Sequence, residues 1–358
     1  MTASDLTAPK AWPPSTCEPC TRVRVPGKVI LSGEHAVIYG APALACAIQK
    51  YAFAKATTSD TLGVHLKVPE FGIDQQFSLL QLSQLAQQTQ SRHQQYLSAS
   101  GLLPSVVLTP AEFLAAALGA SGMVNLLSNQ HGLVIELCVD LVAGGGMGSS
   151  AALVAAMLAA SFKHLGQPLS ATELVLKTTQ SEHWQHGRSS GLDPYVCVMG
   201  GLQQYKKGYG ERQVLNDLAQ YFLVTTGQPE SSTGECVDAV KQQSFPQTLW
   251  QKFSTVQENL RTAMGLNQGL KVLDAIKANH QLLRQIGVVP SLVCEFIAGI
   301  EAHGGAAKIC GAGSVVGDHG GLVFVIGLEQ TLVEQLCLRH GYGVQAMRPD
   351  LEGVCYFD

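Results

Sequence analysis

Four glycines and two serines crowd into seven positions of the stretch GGGMGSSAAL, residues 144–153, which then becomes an alanine-rich apolar run. Glycine inside a folded segment costs roughly 0.5–1 kcal/mol relative to alanine because its backbone loses more freedom on folding. The apolar stretch HGLVIELCVDL, residues 131–141, predicts a strand that leads directly into the cluster. The segment therefore predicts a strand, a wide glycine loop and a helix whose first turn contains Ser149 and Ser150.

Three kinds of loop compete for this segment. A P-loop ends in Gly-Lys-Ser/Thr, and Gly148-Ser149-Ser150 has no lysine, which excludes it. A dinucleotide fingerprint needs an acidic residue about 20 residues further on, after a second strand, whereas a helical pattern follows here. The remaining phosphate-binding interpretation is a glycine loop that ends at a helix start. On this motif alone, a flexible loop with an ordinary serine N-cap stays open as an alternative.

A loop of this kind has clear chemistry. The N–H groups of a first helical turn have no partners within the helix, and they carry the positive end of the helix dipole. Glycines let this backbone approach phosphate oxygens closely, and a serine hydroxyl can ligate Mg²⁺, which prefers oxygen ligands. The segment thus predicts a site for an anion, with a metal ion beside it.

Composition excludes several other classes of protein. The 358 residues are 46% apolar and 14% charged, which predicts a compact protein of two domains. A net charge of −4 gives no general attraction to nucleic acid or anionic membranes. The most lipid-like run, residues 151–160, is half a membrane span and predicts a buried helix. Of ten cysteines, only Cys17 and Cys20 are close together, so we expect free thiols in a cytoplasmic protein and no cysteine metal site.

Hydrophobic patterns outline the first part of the chain. Residues 22–40 predict a strand, a turn at Gly33-Glu34-His35 and a continuation of the strand toward Gly40. The glutamine-rich segment at 74–95 predicts a solvated amphipathic helix with its leucines on one face. Residues 109–128 predict a further helix that begins at Thr109-Pro110.

The pattern changes after residue 207. A predicted strand at 221–227 is followed by two or three helices across 230–300. A glycine-rich stretch, a strand, a final helix and a last strand complete the chain. We therefore expect a domain boundary near 208–218.

Three stretches together resemble the three motifs of the GHMP kinase superfamily: PGKVILSGEHAVIYG (26–40), GGGMGSSAAL and KICGAG (308–313). The first is similar to the mevalonate kinase branch of that superfamily. A fourth stretch, SEHWQHGRSSGLDPYVCVMGG (181–201), matches the same branch, including the gap of eleven residues from Glu182 to Asp193. A weaker match at 225–237 aligns Thr233 with a threonine near the family's phosphate site.

The resemblance implies a two-domain α+β fold. A lead-in at 1–20 would precede an ATP-binding domain at 21–210, of the kind called ribosomal-protein-S5-domain-2-like. A ferredoxin-like α+β domain would follow at 211–358. The resemblance also allows a homodimer.

The resemblance further implies transfer of the γ-phosphoryl group of MgATP to the C5 hydroxyl of (R)-mevalonate, a step that supplies isoprenoid precursors. Asp193 would orient the acceptor hydroxyl and take its proton, and Lys28 would keep Asp193 ionised. Ser150 and Glu182 would ligate Mg²⁺. The residues expected to bind ATP are Gly144, Gly145, Gly146, Met147, Gly148, Ser149 and Ser150. Those expected to contact the acceptor are Lys28, Glu34, His35, Ser190, Asp193, Thr233, Gly311 and Ala312.

Taken singly, these residues have ordinary explanations. Asp193 could be a turn aspartate, Lys28 a solvated strand lysine and Glu182 a surface helix residue. Two other functions stay open: the same chemistry on another small alcohol or sugar, such as phosphomevalonate or galactose, and a catalytically silent ligand sensor. The intact base and metal ligands argue against a sensor.

The chain also departs from the family pattern. Val142, Met147 and Ser189 stand where the family usually has proline, leucine and proline, and residues 314–319 interrupt the third glycine motif.

Overall fold

The computed structural model describes residues 19–98, 108–127, 131–141, 145–187, 189–214 and 221–357, and of His186 only the main chain. Gly144, Val142, Cys17 and most of the predicted lead-in lie outside the described residues. Eight of the described cysteines, from Cys46 to Cys355, are free thiols, as expected. In the described part of the chain, no helix is both long and apolar enough to cross a membrane.

The described strands form two sheets. They are β1 (Cys20–Ser32), β2 (Ala43–Ser59), β3 (Val64–Val68), β4 (Ile73–Phe77), β5 (Gly132–Val139), β6 (Leu202–Lys206), β7 (Tyr209–Gln213), β8 (Tyr221–Thr225), β9 (Ala306–Cys310), β10 (Leu322–Ile326), β11 (Gly343–Met347) and β12 (Cys355–Phe357). The first sheet has the order β12-β1-β2-β5-β3-β4, and the hairpin of β6 and β7 is attached to β2. Its strand pairs are antiparallel except β3 with β5.

Helices pack on both sheets. They are α1 (Leu79–Ser98), α2 (Pro110–Ala120), α3 (Met123–Leu127), α4 (Ser149–His164), α5 (Ala171–His186), α6 (Leu192–Met199), α7 (Thr233–Gln242), α8 (Gln247–Gly265), α9 (Gly269–Gln285), α10 (Ser291–Ala302) and α11 (Gln330–His340). Two short 3₁₀ helices cover His35–Tyr39 and Pro69–Phe71. The structure is thus mixed α+β, as the resemblance implies.

The second sheet has the order β11-β8-β10-β9, with every pair antiparallel. Numbered along the chain, this is the order 4-1-3-2 of a ferredoxin-like unit, in which helices follow the first and third strands. The last strand, β12, returns to the first sheet and pairs with β1. The division of the chain at residues 210 and 211 stays a prediction.

The helix after the glycine loop is buried, as predicted. Every residue of α4 from Ala151 to Phe162 is buried, and the helix packs on β1 and β2. A helix that is apolar on all sides belongs in a protein core. Its first turn directly follows the glycine loop, which contacts β1 and the end of β9.

Four expectations about local structure are wrong. Strand β1 does not continue toward Gly40, because Gly33 adopts a φ of +94° and the chain then forms a 3₁₀ helix. The helix predicted over 109–128 begins at its capping box on Thr109, but it is interrupted near Gly122, whose φ is +91°. Four helices, α7 to α10, occupy 230–300 instead of two or three. The chain closes with two strands, β11 and β12, instead of one.

The helix predicted near 74–95 exists as α1, with a shifted start. Residues 73–77 form β4, and the helix begins at Leu79. Leu82 is buried, whereas Leu80 is 66% exposed. The leucines predicted on one helical face, at positions 79, 80, 82 and 85, therefore do not share one buried face.

Candidate active site

Lys28 and Asp193 form an ion pair where the two sheets face each other. Lys28 is in β1, paired with Ala47 of β2, and only 2% of its side chain is exposed. Its Nζ lies 3.0 Å from Asp193 Oδ2 and donates a hydrogen bond of 3.0 Å to Gly146 O. A lysine so buried is held by its partners, which excludes the interpretation of Lys28 as a solvated strand residue.

Asp193 occupies the first turn of α6. Gly191, with a φ of +80°, is the N-cap residue, so Asp193 lies near the positive end of the helix dipole. The side chain of Asp193 is 31% exposed, and its other face borders a cavity. The carboxylate thus has a cation on one side and a cavity on the other. A molecule bound in the cavity could reach it there.

The glycine loop contacts the first motif, at Lys28, and the third motif, at Cys310. An added Cβ on Gly146, whose φ is +84°, would lie 2.6 Å from Cys310 O. An added Cβ on Gly148, with a φ of +69°, would lie 3.1 Å from Lys28 Cε. Both positions need glycine, because of backbone conformation and because of close packing. The loop is also fixed to β1 by a hydrogen bond of 2.8 Å from Lys28 N to Met147 O.

The expected ATP-binding residues differ in their surroundings. Gly145 and Gly146 line a cavity, while Ser149 and Ser150 form the first turn of α4. The Met147 side chain is 1% exposed and packs in the core. Any contact of Met147 with ATP would therefore come from its main chain.

One cavity collects most of the predicted catalytic and acceptor residues. It is lined by Lys28, Ile30, Glu34, His35, Val37, Ile38, Gly146, Glu182, Ser189, Ser190, Leu192, Asp193, Thr233, Val237, Gly311 and Ala312. These residues come from all four sequence motifs and from the start of α7. We call this space the acceptor cavity. A second cavity adjoins it and shares Gly146, Thr233 and Ala312.

Glu182 is one of the most buried acidic residues. It lies on α5, lines the acceptor cavity and is only 1% exposed. This burial excludes the interpretation of Glu182 as a solvated surface helix residue. Among the residues that the structure describes, no group of three or more His, Cys, Asp and Glu side chains could hold a metal ion by itself. A role of Glu182 and Ser150 toward Mg²⁺ stays a prediction.

The loop before α6 is held in place by hydrogen bonds. Tyr205 Oη donates to Ser190 O at 2.6 Å, and Ser189 N donates to His183 Nδ1 at 3.0 Å. Burial, together with the nearby His93, lowers the pKa of His183, so its ring is neutral and can accept. Ser190 therefore has a defined position at the cavity wall.

His35 joins the first motif to the third. Its Nε2 donates to Ala312 O at 2.9 Å, and the residue is 3% exposed. Burial lowers the pKa of His35, so the imidazole is neutral. The hydrogen bond fixes the tautomer with the proton on Nε2.

The interrupted third motif is tied to the loop before α7. Ser314 Oγ donates to Ser231 Oγ at 3.1 Å, and the carboxylate of Glu230 accepts from the backbone N–H groups of Asp318 and His319. Side chains thus hold a loop for which the family usually has a run of glycines. Thr233 comes two residues after Ser231, at the start of α7, and lines both cavities.

The sequence analysis assigned no role to three buried polar residues, Ser32, Asn279 and Lys308. Lys308 of β9 pairs with Glu34, and Asn279 of α9 donates to Glu34 Oε2 at 3.3 Å. Ser32 Oγ donates to Asn279 Oδ1 at 3.1 Å. The signal for Lys308 was available, because it is a lone charge in the apolar strand AAKIC, whose five residues are all buried.

Comparisons with known proteins place this chain beside one group of kinases. The family described as "GHMP kinases N terminal domain" matches residues 110–201. The mevalonate kinase of Archaeoglobus fulgidus is 28% identical over 84% of this chain and 89% of its own. The human mevalonate kinase is 27% identical over 87% of this chain and 88% of its own.

A solved structure shares the fold. The crystal structure of Methanococcus jannaschii mevalonate kinase superimposes with a TM-score of 0.73 at 16% identity, covering 94% of this chain and 99% of that one. At this identity the likeness concerns the fold alone. The four motifs, the match over residues 110–201 and the fold make this chain similar to GHMP kinases, and the relatives that match most of its length are named mevalonate kinase.

Proposed function

We propose that this protein is a mevalonate kinase, which transfers the γ-phosphoryl group of ATP to the C5 hydroxyl of (R)-mevalonate and releases ADP. The observation that carries the proposal is the Lys28–Asp193 pair, which faces a cavity lined by the residues of the mevalonate kinase motifs. The curated relatives that match most of the chain are also named mevalonate kinase.

In the proposed reaction, Asp193 accepts a hydrogen bond from the C5 hydroxyl and takes its proton. The freed oxygen forms a bond to the γ-phosphorus while the bond from that phosphorus to the bridging oxygen of ADP breaks. Lys28 stabilises Asp193 as a carboxylate before the transfer and stabilises the developing negative charge on the acceptor oxygen. The N–H groups of the glycine loop and of the first turn of α4 would hold phosphate oxygens.

The donors present suit Mg²⁺. A buried carboxylate, Glu182, lines the acceptor cavity, and the hydroxyl of Ser150 stands in the first turn of α4. Mg²⁺ in kinases takes one or two protein oxygens and completes its shell with phosphates and water. We propose that Glu182 and Ser150 hold it. The ion would supply charge neutralisation on the phosphate oxygens.

The walls of the acceptor cavity favour mevalonate over a sugar. Five aliphatic residues line it: Ile30, Val37, Ile38, Leu192 and Val237. A sugar presents a hydroxyl on almost every carbon, and burying those groups against aliphatic walls leaves them without partners. Mevalonate has a methyl group and methylene carbons that such walls can contact.

The test is a coupled assay of ADP release with mevalonate, phosphomevalonate, galactose and homoserine as acceptors. We expect kcat/KM for mevalonate to exceed that for every other acceptor at least about tenfold, which corresponds to roughly 1.4 kcal/mol in transition-state binding. ATP without acceptor gives the background. Faster turnover of another acceptor would refute mevalonate as the substrate and leave the kinase chemistry intact. ATP binding without turnover of any acceptor would favour the sensor.

A further inference from the structure

The ion pair between Glu34 and Lys308 has no role in the proton transfer described above. Lys308 is 0% exposed and the side chain of Glu34 only 1%. Burial of two charges is costly, and their mutual attraction often does no more than offset the cost. The pair therefore calls for an explanation other than stability.

The geometry around Glu34 is well defined. Lys308 Nζ donates to Glu34 Oε1 and, at 2.8 Å, to Ile30 O of β1. Asn279 Nδ2 donates to the other carboxylate oxygen, Oε2, at 3.3 Å. Each oxygen of Glu34 thus receives a donor from β9 or α9, although Glu34 itself follows β1.

Glu34 is also at the wall of the acceptor cavity, next to His35. An ionised carboxylate has about four sites for accepting hydrogen bonds. The donors from Lys308 and Asn279 leave acceptor capacity for a hydroxyl group in the cavity. They also restrict the directions in which the carboxylate can point.

We infer that Lys308 is a positioning residue for the acceptor substrate, because it holds Glu34 ionised and oriented toward a hydroxyl group of that substrate. The inference rests on the proposed function only in taking the acceptor to be a small hydroxylated molecule. The Lys308 side chain does not itself line the acceptor cavity and acts through Glu34.

The other titratable groups near this pair do not change charge around neutral pH. Burial lowers the pKa of His35, and burial together with the charges of Arg284 and Lys308 lowers the pKa of His280 to about 4. Burial also raises the pKa of the Cys310 thiol. Both imidazoles are neutral and the thiol is protonated at neutral pH, so these three groups supply no new pH dependence in a Lys308 variant. Lys28, Glu182 and Asp193 line the same cavity in the wild type and in the variant, so the wild-type pH profile is the reference for them.

The test compares Lys308→Met with the wild type at several pH values. Without its cation, the buried carboxylate of Glu34 takes up a proton at neutral pH and gives it up as the pH rises. We expect kcat/KM for the acceptor to fall at least about tenfold at pH 7, the scale of a lost hydrogen bond to a charged group. The loss should shrink toward about pH 9. KM for ATP should stay within about twofold of the wild type, because Glu34 lines the acceptor cavity and does not line the second cavity, which contains Gly145 and Gly146.

Lys55→Met is the matched control, because it also removes a lysine from an ion pair, with Glu136 at 3.6 Å, between strands away from the cavity. It should behave as the wild type does. The double variant Glu34→Gln/Lys308→Met removes both charges and should show low activity without the pH dependence. It also avoids leaving an unpaired buried charge, should Lys308→Met fail to fold.

If both of these variants fail to fold, Asn279→Ala is decisive. It removes the donor to Glu34 Oε2 and should raise KM for the acceptor several-fold, with KM for ATP unchanged. The inference is overturned if Lys308→Met, or Asn279→Ala in its place, matches the control, or if it loses ATP and acceptor affinity in parallel with no pH dependence. The wild-type acceptor panel is independent of these results: if another acceptor is preferred, the same variants are measured with that acceptor.

Discussion

Two lysine–carboxylate pairs lie where the sheets meet, and they differ in how much water reaches them. In the Lys28–Asp193 pair the aspartate is 31% exposed, whereas in the Lys308–Glu34 pair neither side chain exceeds 1%. Both pairs combine a strand lysine with an acidic residue from another element. Both carboxylates border the acceptor cavity, but the Asp193 side chain is far more exposed to it than that of Glu34.

This difference indicates two uses of the same chemistry. A carboxylate beside a lysine and open to a cavity can act as a base, since substrate can reach it. A buried carboxylate with one donor on each oxygen keeps its orientation and can still accept a hydrogen bond from a substrate hydroxyl. We therefore propose proton transfer for Asp193 and substrate binding for Glu34, and four predictions follow from that division.

The largest expected effect is on catalysis by Asp193→Asn. Asparagine keeps the size and one oxygen but cannot take the proton of the acceptor, so kcat should fall by about 10²–10⁴. The dissociation constant of ATP, measured by calorimetry, should barely move. Glu34→Gln is the comparison, and it should affect KM for the acceptor more than kcat. If Asp193→Asn retains more than about a tenth of kcat, Asp193 is not the base.

Lys28→Met sharpens the same point. It should also lower kcat severely, because Asp193 loses its cation. The double variant of Lys28 and Asp193 should lose far less than the product of the two single losses, because residues that act as one unit are not additive. If the double variant loses kcat by the full product of the two single losses, Lys28 and Asp193 act independently and not as one unit.

An intermediate effect is expected on stability. Lys308→Met leaves the buried Glu34 without its cation, and breaking a buried pair in this way costs about 3–5 kcal/mol. Lys28→Met should cost less, since water can reach Asp193. Urea denaturation of both variants measures the free energies of unfolding. Equal losses would remove the distinction between the two pairs.

The smallest effect concerns Glu182, which is buried like Glu34 but assigned to Mg²⁺. Glu182→Gln keeps the volume and removes a charge, so the Mg²⁺ concentration for half-maximal rate should rise several-fold, as for a lost carboxylate ligand. Gln180→Glu, on the same helix but exposed and outside both cavities, serves as a control for helix charge. An unchanged Mg²⁺ titration would make Glu182 a second positioning group instead of a ligand.

The sequence by itself determined the local features of the site. The strand at 132–139, the glycine loop and the buried helix α4 follow one another as predicted, since hydrophobic periodicity and glycine content act over a few residues. The helix start at Thr109-Pro110 was also predicted, since an N-cap residue and a first-turn proline are local signals. The roles of Lys28, Glu182 and Asp193 came from the motif resemblance, and they stay predictions until the variants are measured.

Only the tertiary structure decided which distant groups meet. Lys28 and Gly146 are 118 residues apart, and Glu34 and Lys308 are 274 apart, yet both pairs are in direct contact. Spacing along the chain carries no information about such contacts, because they depend on how β1, β9 and α9 pack together. A lysine in an apolar strand indicates that a partner must exist. Which carboxylate becomes that partner, and whether water reaches it, is set by the packing of the two sheets.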